Sequence, residues 1–370
     1  MPILLLQFPL FASTIGQSRH IFSLAAELEK RGYSFFCMTT DTTFVQEFRV
    51  RQWHVLRLTL KLPLFTACVS ALLLPFLILW YRMRHRVRIL CCLTLMEKLI
   101  ATPVARLAGM RVIWMESTLP HRTFFFYLYH PWYILLARLA TVVTVSDAAR
   151  TAFARAHVPG THLVRLYPGI AETSGWQTSL FTTIAETKQP LGHKKQFCIG
   201  TVGNLTRKHG IEYLLQAVRR CREMIPDIQC VIVGHGPERQ NLQWLAERLD
   251  LKEHVLFVGW QASAQKWITH FDIFIFPAVE GDAFNNIVLE AMGEQKPVIG
   301  TRVGSIMEII EPTKTGMLVE PKNPAMLAEA ILNLYHHPEW REEMGARGRE
   351  RARKVFSLDR AADEFEKIIS

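Results

Sequence analysis

Two carboxylates, Asp282 and Glu290, stand eight positions apart in a stretch whose pattern predicts a strand, a loop and a helix in quick succession. The apolar run 273–276 predicts a short buried strand, a polar loop containing Glu280 follows, and the helix runs through Glu290. A second strand, 297–300, leads through a glycine turn into another helix. A helix N-terminus presents unpaired N–H groups and the positive end of the helix dipole, so both helix starts suit a phosphate.

The carboxylates beside these helix starts indicate what else the site binds. A carboxylate next to a phosphate pocket repels the phosphate, so Asp282 and Glu290 are better explained as hydrogen-bond acceptors for sugar hydroxyls. Phosphate-binding helix starts and sugar-binding carboxylates in one stretch together predict a pocket for a nucleotide sugar.

Length and composition restrict the class of protein. A chain of 370 residues has room for two domains, and 49% hydrophobic with 21% charged residues is typical of a globular protein. The net charge of +10 favours anionic partners, but no nucleic-acid-binding signature accompanies it, so nucleic acid is not expected. Seven cysteines without a C-x-x-C pair predict reduced thiols in a cytosolic protein, and no metal site is expected. The N-terminus lacks a basic segment and a cleavage site, and predicts a first strand rather than a signal peptide.

The acidic stretch resembles the donor site of the retaining glycosyltransferases of family 4. Members of that family carry two acidic residues separated by seven others and followed by an alanine–methionine pair, as Asp282, Glu290 and 291–292 do here. The first acidic residue of the family is usually glutamate, so either Asp282 or the nearby Glu280 could fill that place. The resemblance implies the GT-B fold, an α/β fold of two Rossmann-like domains whose parallel sheets face a central cleft.

The resemblance also predicts how the chain divides. Residues 1–170 are expected to form an N-terminal acceptor-binding domain, 171–196 a polar linker, and 197–355 a C-terminal domain that binds the nucleotide sugar. Residues 356–370 are expected to form a terminal helix that crosses back to the N-terminal domain, as it does in GT-B proteins.

Three residues of the predicted N-terminal domain are candidates for binding. Gly16 lies in the predicted loop after the first strand, where the family carries a glycine pair near the donor diphosphate; alternatively, it only relieves a tight turn. Glu116 and His121 lie in the loop after a later strand, at the carboxyl end where open sheets bind ligands. Relatives often have a histidine directly after an acidic residue there, whereas this chain has Ser117. Either Glu116 or His121 could face the acceptor, and a loop histidine can also be purely structural.

A basic loop follows the first strand of the predicted C-terminal domain. The family normally has arginine at the position of Asn204 and lysine at that of His209, both touching the donor diphosphate, and both are replaced here. Arg207 and Lys208 supply positive charge from the same loop, unless the loop is merely solvated. Gly234 belongs to a later G-x-G-P turn, which shapes the floor of the nucleotide cleft in relatives.

The resemblance assigns the remaining roles in the donor site. Glu290 is expected to hold the ribose, as the matching glutamate does in relatives. The helix start at Asn285, Asn286 and Ile287 is expected to stabilise the leaving diphosphate together with the basic loop. Trp260 lies at a strand end where relatives hold the base, so it either stacks on the base or packs against the protein.

A long uncharged segment lies inside the predicted N-terminal domain. The nineteen residues 62–80 reach the length of a transmembrane helix, and four arginines follow between positions 82 and 88. Pro63 and Pro75 interrupt the segment, and it sits within a βα series that a full span would divide. We expect a helix partly embedded in the bilayer face with its arginines on anionic head groups; a full span and an ordinary buried helix are the alternatives. The aromatic segment 124–132 also suits a lipid interface.

The resemblance implies transfer of a hexose from a nucleotide diphosphate sugar with retention of configuration, without a cofactor or a structural metal. The acceptor is expected to be lipid-linked or a growing surface glycan, at the inner face of the cell membrane, where a cytoplasmic protein would bind peripherally. One alternative is a nucleotide-sugar epimerase of the same fold that recruits His121, Glu116 and Glu280 as acid/base groups. Another is a non-catalytic subunit of a membrane complex, suggested by the family residues that this chain replaces.

Overall fold

The computed structural model describes residues 1–7, 15–39, 45, 49, 53–57, 63–120, 124–170, 196–261 and 263–370, of which 15–19, 57, 63–72 and 124–128 are described by their main chain only. These residues belong to two compact units. Unit 1 comprises Met1–Ala171 and Ser357–Ser370, and unit 2 comprises Glu172–Phe356. Unit 1 is therefore made of two segments of the sequence, with unit 2 between them.

The described residues form thirteen strands and thirteen helices. The strands are β1 (Pro2–Gln7), β2 (Ser34–Thr39), β3 (His54–Arg57), β4 (Ile89–Cys92), β5 (Arg111–Glu116), β6 (Thr141–Thr144), β7 (Leu163–Arg165), β8 (Phe197–Val202), β9 (Ile228–Val233), β10 (Val255–Gly259), β11 (Ile273–Phe276), β12 (Val298–Thr301) and β13 (Gly316–Val319). The helices are α1 (Ile15–Lys30), α2 (Pro63–Arg84), α3 (Leu95–Leu107), α4 (Phe124–Ala137), α5 (Asp147–Arg155), α6 (Ile211–Cys221), α7 (Arg239–Arg248), α8 (Gln265–Ile268), α9 (Asn286–Gly293), α10 (Ile306–Ile309), α11 (Pro324–His336), α12 (Pro338–Val355) and α13 (Leu358–Ile369).

Unit 1 is built on a seven-stranded parallel sheet with the order β3-β2-β1-β4-β5-β6-β7. Helices cover both faces, which is why its central strands read as unbroken apolar runs rather than as alternating patterns. Leu4 and Leu6 point to the face covered by α2, α3 and α4, while Ile3 and Leu5 point to the face covered by α1 and α13.

The last helix, α13, completes the core of unit 1. Phe365 and Ile369 are buried there together with Leu28 of α1. Arg31, just beyond α1, donates to Asp363 at 2.5 Å and to Glu366 at 3.1 Å, so an ionic contact flanks the apolar one. Because these contacts lie within unit 1, α13 belongs to that unit although it follows unit 2 in the sequence.

Unit 2 repeats the same kind of layering on a six-stranded parallel sheet with the order β10-β9-β8-β11-β12-β13. Its main core cluster contains Leu214 and Val218 of α6, which pack against Ile331 of α11 and against Ile199 and Ile275 of the sheet. The chain enters each sheet at a central strand and winds outwards in both directions. The carboxyl ends of the strands of one sheet therefore share an edge, where the following loops meet.

Several sequence-based expectations about the elements need correction. The loop predicted up to position 17 ends earlier, because α1 begins at Ile15; Gly16 consequently lies in the first helical turn, where main-chain N–H groups are unpaired. The helix predicted after β12 is only the four-residue α10, so it contributes little dipole. The segment predicted at 62–80 forms the longer helix α2, and no helix of the described residues is long and apolar enough to cross a membrane.

Candidate functional site

The carboxyl edge of the sheet in unit 2 gathers most of the predicted donor-site residues. The loop 203–210 follows β8, the loop 277–285 follows β11, and the loop 302–305 follows β12. β8 and β11 are neighbours in the sheet, as are β11 and β12, so the three loops leave the edge side by side. Residues that lie far apart in the sequence meet there.

An ion pair joins the first two of these loops. The Lys208 ammonium donates to the Asp282 carboxylate at 2.7 Å. His209 lies beside the pair, with Nε2 3.9 Å from Asp282 Oδ2 and Nδ1 2.7 Å from the Thr206 hydroxyl. Desolvation lowers the pKa of His209, the Asp282 charge opposes that effect, and the Lys208 charge adds to it. The imidazole of His209 is therefore harder to charge than a solvent-exposed one.

The main chain fixes the two loops against each other. The Lys208 carbonyl accepts from Val279 N–H at 2.8 Å. The Lys208 side chain therefore starts from the point where the two loops are hydrogen-bonded. Gly210 adopts a left-handed conformation with φ of +64°, and a Cβ added there would lie 2.1 Å from the Pro277 carbonyl oxygen. Only glycine allows this approach, and the approach places the basic loop over the acidic one.

A third loop is fixed to the same edge. The buried Thr301 hydroxyl donates to the Ala278 carbonyl at 2.6 Å, which joins the end of β12 to the loop after β11. Gly281 and Gly304 approach so closely that a Cβ on either would lie 2.7 Å from the other's Cα. Within the described chain, the buried Ser305 hydroxyl oxygen has no hydrogen-bond partner.

Helix α9 begins at this junction. Asn285 precedes it as a buried N-cap residue, and Asn286 and Ile287 form its first turn. The N–H groups of a first helical turn have no partner within the helix and point outwards from its start. The carboxamide oxygen of Asn286 is also without a partner among the described residues. Glu290, one turn further, is half-buried on the face that Asn286 shares.

The predicted basic loop is divided by the structure. Only Lys208 reaches the acidic loop; Arg207 is exposed and pairs with Glu238 at 3.1 Å, at the start of α7. Asn204 is exposed as well. The two cations that the basic loop was expected to supply therefore have different partners, because successive residues of the short 3-10 turn Arg207–His209 point in different directions.

The other predicted donor-site residues line neighbouring positions of the same unit. Gly234 has φ of +141°, and a Cβ there would lie 1.9 Å from the Gly203 carbonyl oxygen, so its turn packs directly against the basic loop. Trp260 exposes about half of its side chain at the end of β10, so it is not a core residue. Glu280 is exposed, whereas Asp282 lies against Lys208. Of the two candidate carboxylates, Asp282 is the one that the fold aims at the basic loop.

The predicted acceptor side of unit 1 needs a larger correction. Glu116 is the last residue of β5 rather than part of a loop, and it is buried. Its carboxylate accepts from Lys98 Nζ at 2.6 Å and from the Tyr133 hydroxyl at 2.6 Å. The Glu116 carboxylate is therefore held by partners within unit 1 rather than lying in an open loop, as the sequence had predicted. His121 lies outside the described residues.

Sequence reasoning missed the partners that surround these positions. In the sequence, Lys98 is only one charged residue of a helix. In the structure it is buried and donates a hydrogen bond to Glu116. His20 of α1 lies with Nε2 3.4 Å from the Ser117 hydroxyl, and burial lowers the pKa of its imidazole to about 4. Because His20 and Ser117 are 97 positions apart, no local pattern could have joined them.

No group of three or more potential metal ligands occurs among the residues that the structure describes. Among the residues whose side chains are described, Cys91, Cys92, Cys198, Cys221 and Cys230 are buried and form no disulfide bond. Burial raises the pKa of Cys91 and of Cys198 to about 12, so both are protonated thiols at neutral pH. Neither has the thiolate character that a nucleophile or a metal ligand needs.

The chain has two α/β units, each built on a parallel sheet. This architecture defines the fold class, which is GT-B, as predicted. The chain superimposes on the Anabaena protein HepE, solved in complex with UDP, with a TM-score of 0.82 and 19% identity over 100% of this chain and 99% of that one. It superimposes on sucrose-phosphate synthase from Thermosynechococcus elongatus with a TM-score of 0.75 and 19% identity over 99% and 98%. At this level of identity the similarity establishes the fold alone.

Sequence similarity to known proteins is found mainly in unit 2. Residues 183–351 match the model of the family described as glycosyl transferases group 1. The chain is 33% identical over 158 residues to the putative glycosyltransferase EpsD of Bacillus subtilis, covering 42% of this chain and 41% of EpsD. It is 29% identical over 167 residues to N-acetyl-alpha-D-glucosaminyl L-malate synthase of Bacillus anthracis, covering 45% and 43%. These alignments span less than half of each relative.

Proposed function

We propose that this protein is a retaining glycosyltransferase that moves a hexose from a nucleotide diphosphate sugar to a hydroxyl group of an acceptor. The observation that carries the proposal is the junction of Lys208, Asp282 and the start of α9 at one sheet edge of the unit in which the match to group 1 glycosyltransferases lies. It brings a cation, a carboxylate and a row of main-chain donors together. These are the groups that a diphosphate and a sugar require.

Each group has a role in this proposal. Lys208 and the N–H groups at the start of α9 bind the diphosphate and stabilise the negative charge that grows on it as the bond to the sugar breaks. Asp282 accepts hydrogen bonds from the sugar hydroxyls and so orients the anomeric carbon towards the acceptor. Glu290 holds the ribose. No described side chain near Asp282 has the position of an obvious nucleophile, which favours attack by the acceptor on the face that the leaving phosphate departs from, with that phosphate taking the proton.

We propose further that the acceptor is carried by a lipid at the cytoplasmic face of the membrane. Unit 1 exposes large apolar side chains on two helices that cover the same face of its sheet: Phe76 of α2 is 73% exposed, Met83 of α2 is 76%, and Trp132 of α4 is 63%. Arg82 and Arg84 end α2 beside them and suit anionic head groups. Exposed apolar residues next to cations are typical of a peripheral membrane surface.

Two relatives support a lipid-borne acceptor by what their names state. The chain is 28% identical over 169 residues to the lipopolysaccharide core biosynthesis glycosyltransferase LpsD of Rhizobium meliloti. It is also 29% identical over 223 residues to a GDP-mannose-dependent phosphatidylinositol monomannoside mannosyltransferase of Mycobacterium tuberculosis, with 56% of each chain covered.

A thermal-shift panel tests the donor. Purified protein is melted with UDP, GDP and ADP and with the matching sugar nucleotides, because a ligand that binds only the folded state raises the Tm. At least one sugar nucleotide should stabilise the wild type and lose most of that effect in Glu290→Ala. Glu223→Ala, which removes an exposed carboxylate from the end of α6, should respond like the wild type. A flat response to every nucleotide would argue for the non-catalytic subunit instead.

Vesicle sedimentation tests the membrane surface. The wild type should bind vesicles that contain about a third anionic lipid and bind neutral vesicles less. The double variant Phe76→Ser/Met83→Ser should lose binding, whereas Met224→Ser, which removes a similarly exposed methionine from unit 2, should not. Equal binding by all three proteins would show that this surface is not the one that contacts lipid.

A further inference from the structure

In the Lys208–Asp282 ion pair, the two residues that are proposed to bind a sugar nucleotide bind each other. Lys208 is proposed to bind its diphosphate, and Asp282 is proposed to bind its sugar. Lys208 is the cation of the basic loop that reaches this point, and Asp282 is the carboxylate aimed at it, with 2.7 Å between Nζ and Oδ1. The diphosphate group of a nucleotide brings negative charge to Lys208 and no hydrogen-bond donor for the Asp282 carboxylate. A sugar brings hydroxyl donors that a carboxylate can accept. The two halves of a sugar nucleotide therefore act on the two partners of this pair in different ways.

The pair can exchange partners without moving the loops that carry it. The Lys208 side chain is 45% exposed and the Asp282 side chain 28%, so water already reaches both, and an ion pair of this kind is weak. The loops themselves are held by the Val279–Lys208 main-chain hydrogen bond and by the close approach of Gly210 to Pro277, neither of which involves the charged groups. Only the side-chain contact has to open.

We propose that Asp282, through its ion pair with Lys208, makes the donor site discriminate in favour of a nucleotide diphosphate sugar and against the free nucleotide diphosphate. The inference rests on the proposed function and adds to it a residue that determines donor-over-product specificity. Free nucleotide diphosphate must pull Lys208 away from Asp282 and leaves that carboxylate without its cation, next to a new anion. An intact donor compensates the same carboxylate with sugar hydroxyls.

The same arrangement favours product release. After transfer, the sugar hydroxyls leave Asp282, and the carboxylate again competes with the diphosphate for Lys208. His209 lies 3.9 Å from Asp282 and is a weaker cation than Lys208, because desolvation lowers the pKa of its imidazole. The site therefore binds the product nucleotide less tightly than a site with one cation for the Asp282 carboxylate and another for the diphosphate.

Calorimetric titration of Asp282→Asn tests the inference, because the substitution should change the affinities for the two ligands in opposite directions. UDP and UDP-glucose are titrated into wild type and variant, with GDP and GDP-mannose in parallel. Asparagine keeps the size of the side chain but removes the charge. We expect Asp282→Asn to bind the free nucleotide diphosphate about two- to fivefold more tightly, because the competing carboxylate is gone. The same variant should bind the sugar nucleotide about tenfold or more weakly, because hydrogen bonds to a charged acceptor are lost.

Three further variants separate this effect from general damage. Lys208→Met should weaken both ligands, and in the double variant Lys208→Met/Asp282→Asn the gain in affinity for the free diphosphate should disappear, because the two residues act on each other. Glu223→Gln removes one negative charge and one surface ion pair from the same unit, and should leave the ratio of the two affinities unchanged. Melting curves of each variant, taken without ligand, confirm folding.

The outcomes are distinct. If Asp282→Asn weakens or does not change the affinity for free diphosphate, or shifts both ligands in one direction, Asp282 is an ordinary ligand residue and the inference is overturned. If Glu223→Gln reproduces the gain, the cause is net charge alone, and the inference is also overturned. If the wild type binds no nucleotide of any kind, the proposed function itself fails, and the specificity role of the pair fails with it.

Discussion

Each unit of this protein carries a lysine–carboxylate pair at the carboxyl edge of its sheet, and the two pairs differ in one property. Lys98 and Glu116 in unit 1 are 2.6 Å apart, with side chains only 3% and 10% exposed. Lys208 and Asp282 in unit 2 are 2.7 Å apart, with side chains 45% and 28% exposed. Both pairs join an ammonium to a carboxylate at nearly equal distance, but water reaches the second pair far more easily than the first.

Burial determines what each pair can do. The carboxylate of the first pair also accepts from Tyr133, and the lysine also donates to the Met115 carbonyl at 3.2 Å, so its polar atoms have fixed protein partners. Opening it would leave charges in a nonpolar interior. The exposed pair can change partners at little cost. The ion pair at the sheet edge of unit 1 is therefore a fixed structural contact, whereas the ion pair at the sheet edge of unit 2 can exchange partners.

The largest effect should come from opening the buried pair. Lys98→Met leaves Glu116 buried without its cation and should lower the free energy of unfolding by about 3–5 kcal/mol. Chemical denaturation followed by circular dichroism measures the change. The double variant Lys98→Met/Glu116→Gln should regain much of the loss, since neither residue is then charged. A cost below about 1 kcal/mol for Lys98→Met would place this pair in the same class as the exposed one.

The next effect concerns the backbone under the exposed pair. Gly210→Ala should cost about 2–4 kcal/mol, because the left-handed conformation and the clash with the Pro277 carbonyl add together. Gly109, which ends α3 with φ of +71° and has nothing within 4 Å of an added Cβ, is the matched control. Gly109→Ala should cost only about 1–2 kcal/mol and leave nucleotide affinity unchanged. Equal costs would mean that the approach to Pro277 is not needed.

A pH titration sharpens the comparison with a third carboxylate. Glu97 is buried beside Lys98, whose ammonium is already bound to Glu116, and desolvation raises the pKa of Glu97 from 4.5 to about 7. Between these values the unfolded chain ionises while the folded chain stays protonated, so the free energy of unfolding should fall as pH rises from 4.5 to 7. Glu97→Gln should reduce that fall by up to about 3 kcal/mol. Parallel stability curves for wild type and variant would contradict the assignment.

The smallest effect on stability should come from opening the exposed pair. Lys208→Met should change the free energy of unfolding by less than about 1 kcal/mol, while nucleotide diphosphate affinity falls about tenfold. Urea denaturation and calorimetry give the two numbers. Arg207→Met, which removes the neighbouring cation that pairs with Glu238 instead, should affect affinity less. A larger loss with Arg207→Met would assign the diphosphate to that residue.

Local pattern was enough to predict much of the fold. Strand β11 has the predicted bounds, 273–276, because its unbroken apolar run ends at Pro277. The start of α1 was missed, since the residues around Gly16 have no apolar periodicity. The length of α10, a single turn of four residues, was overestimated, because four residues are too few to show the period of a helix.

The candidate site was predicted only in part, for a physical reason. The spacing of Asp282 and Glu290 is local and marks the stretch correctly as the place where loops converge. The partner of Asp282 lies 74 positions away, and which of Arg207 and Lys208 reaches it depends on the direction of each side chain in a short 3-10 turn. The burial of Glu116 depends on packing of α3 and α4 against β5, which no neighbouring residue reveals.

The division of unit 1 into two segments has a consequence for how the chain is made. A ribosome releases residues in order, and domains fold as units once all of their segments are available. Unit 2 is continuous and can complete its sheet while unit 1 still lacks α13. The apolar face of α1 that Phe365 and Ile369 cover stays open during that interval. The first segment of unit 1 therefore leaves the ribosome before unit 2, but its own unit finishes folding after unit 2, and its open face is the kind of surface that chaperones hold.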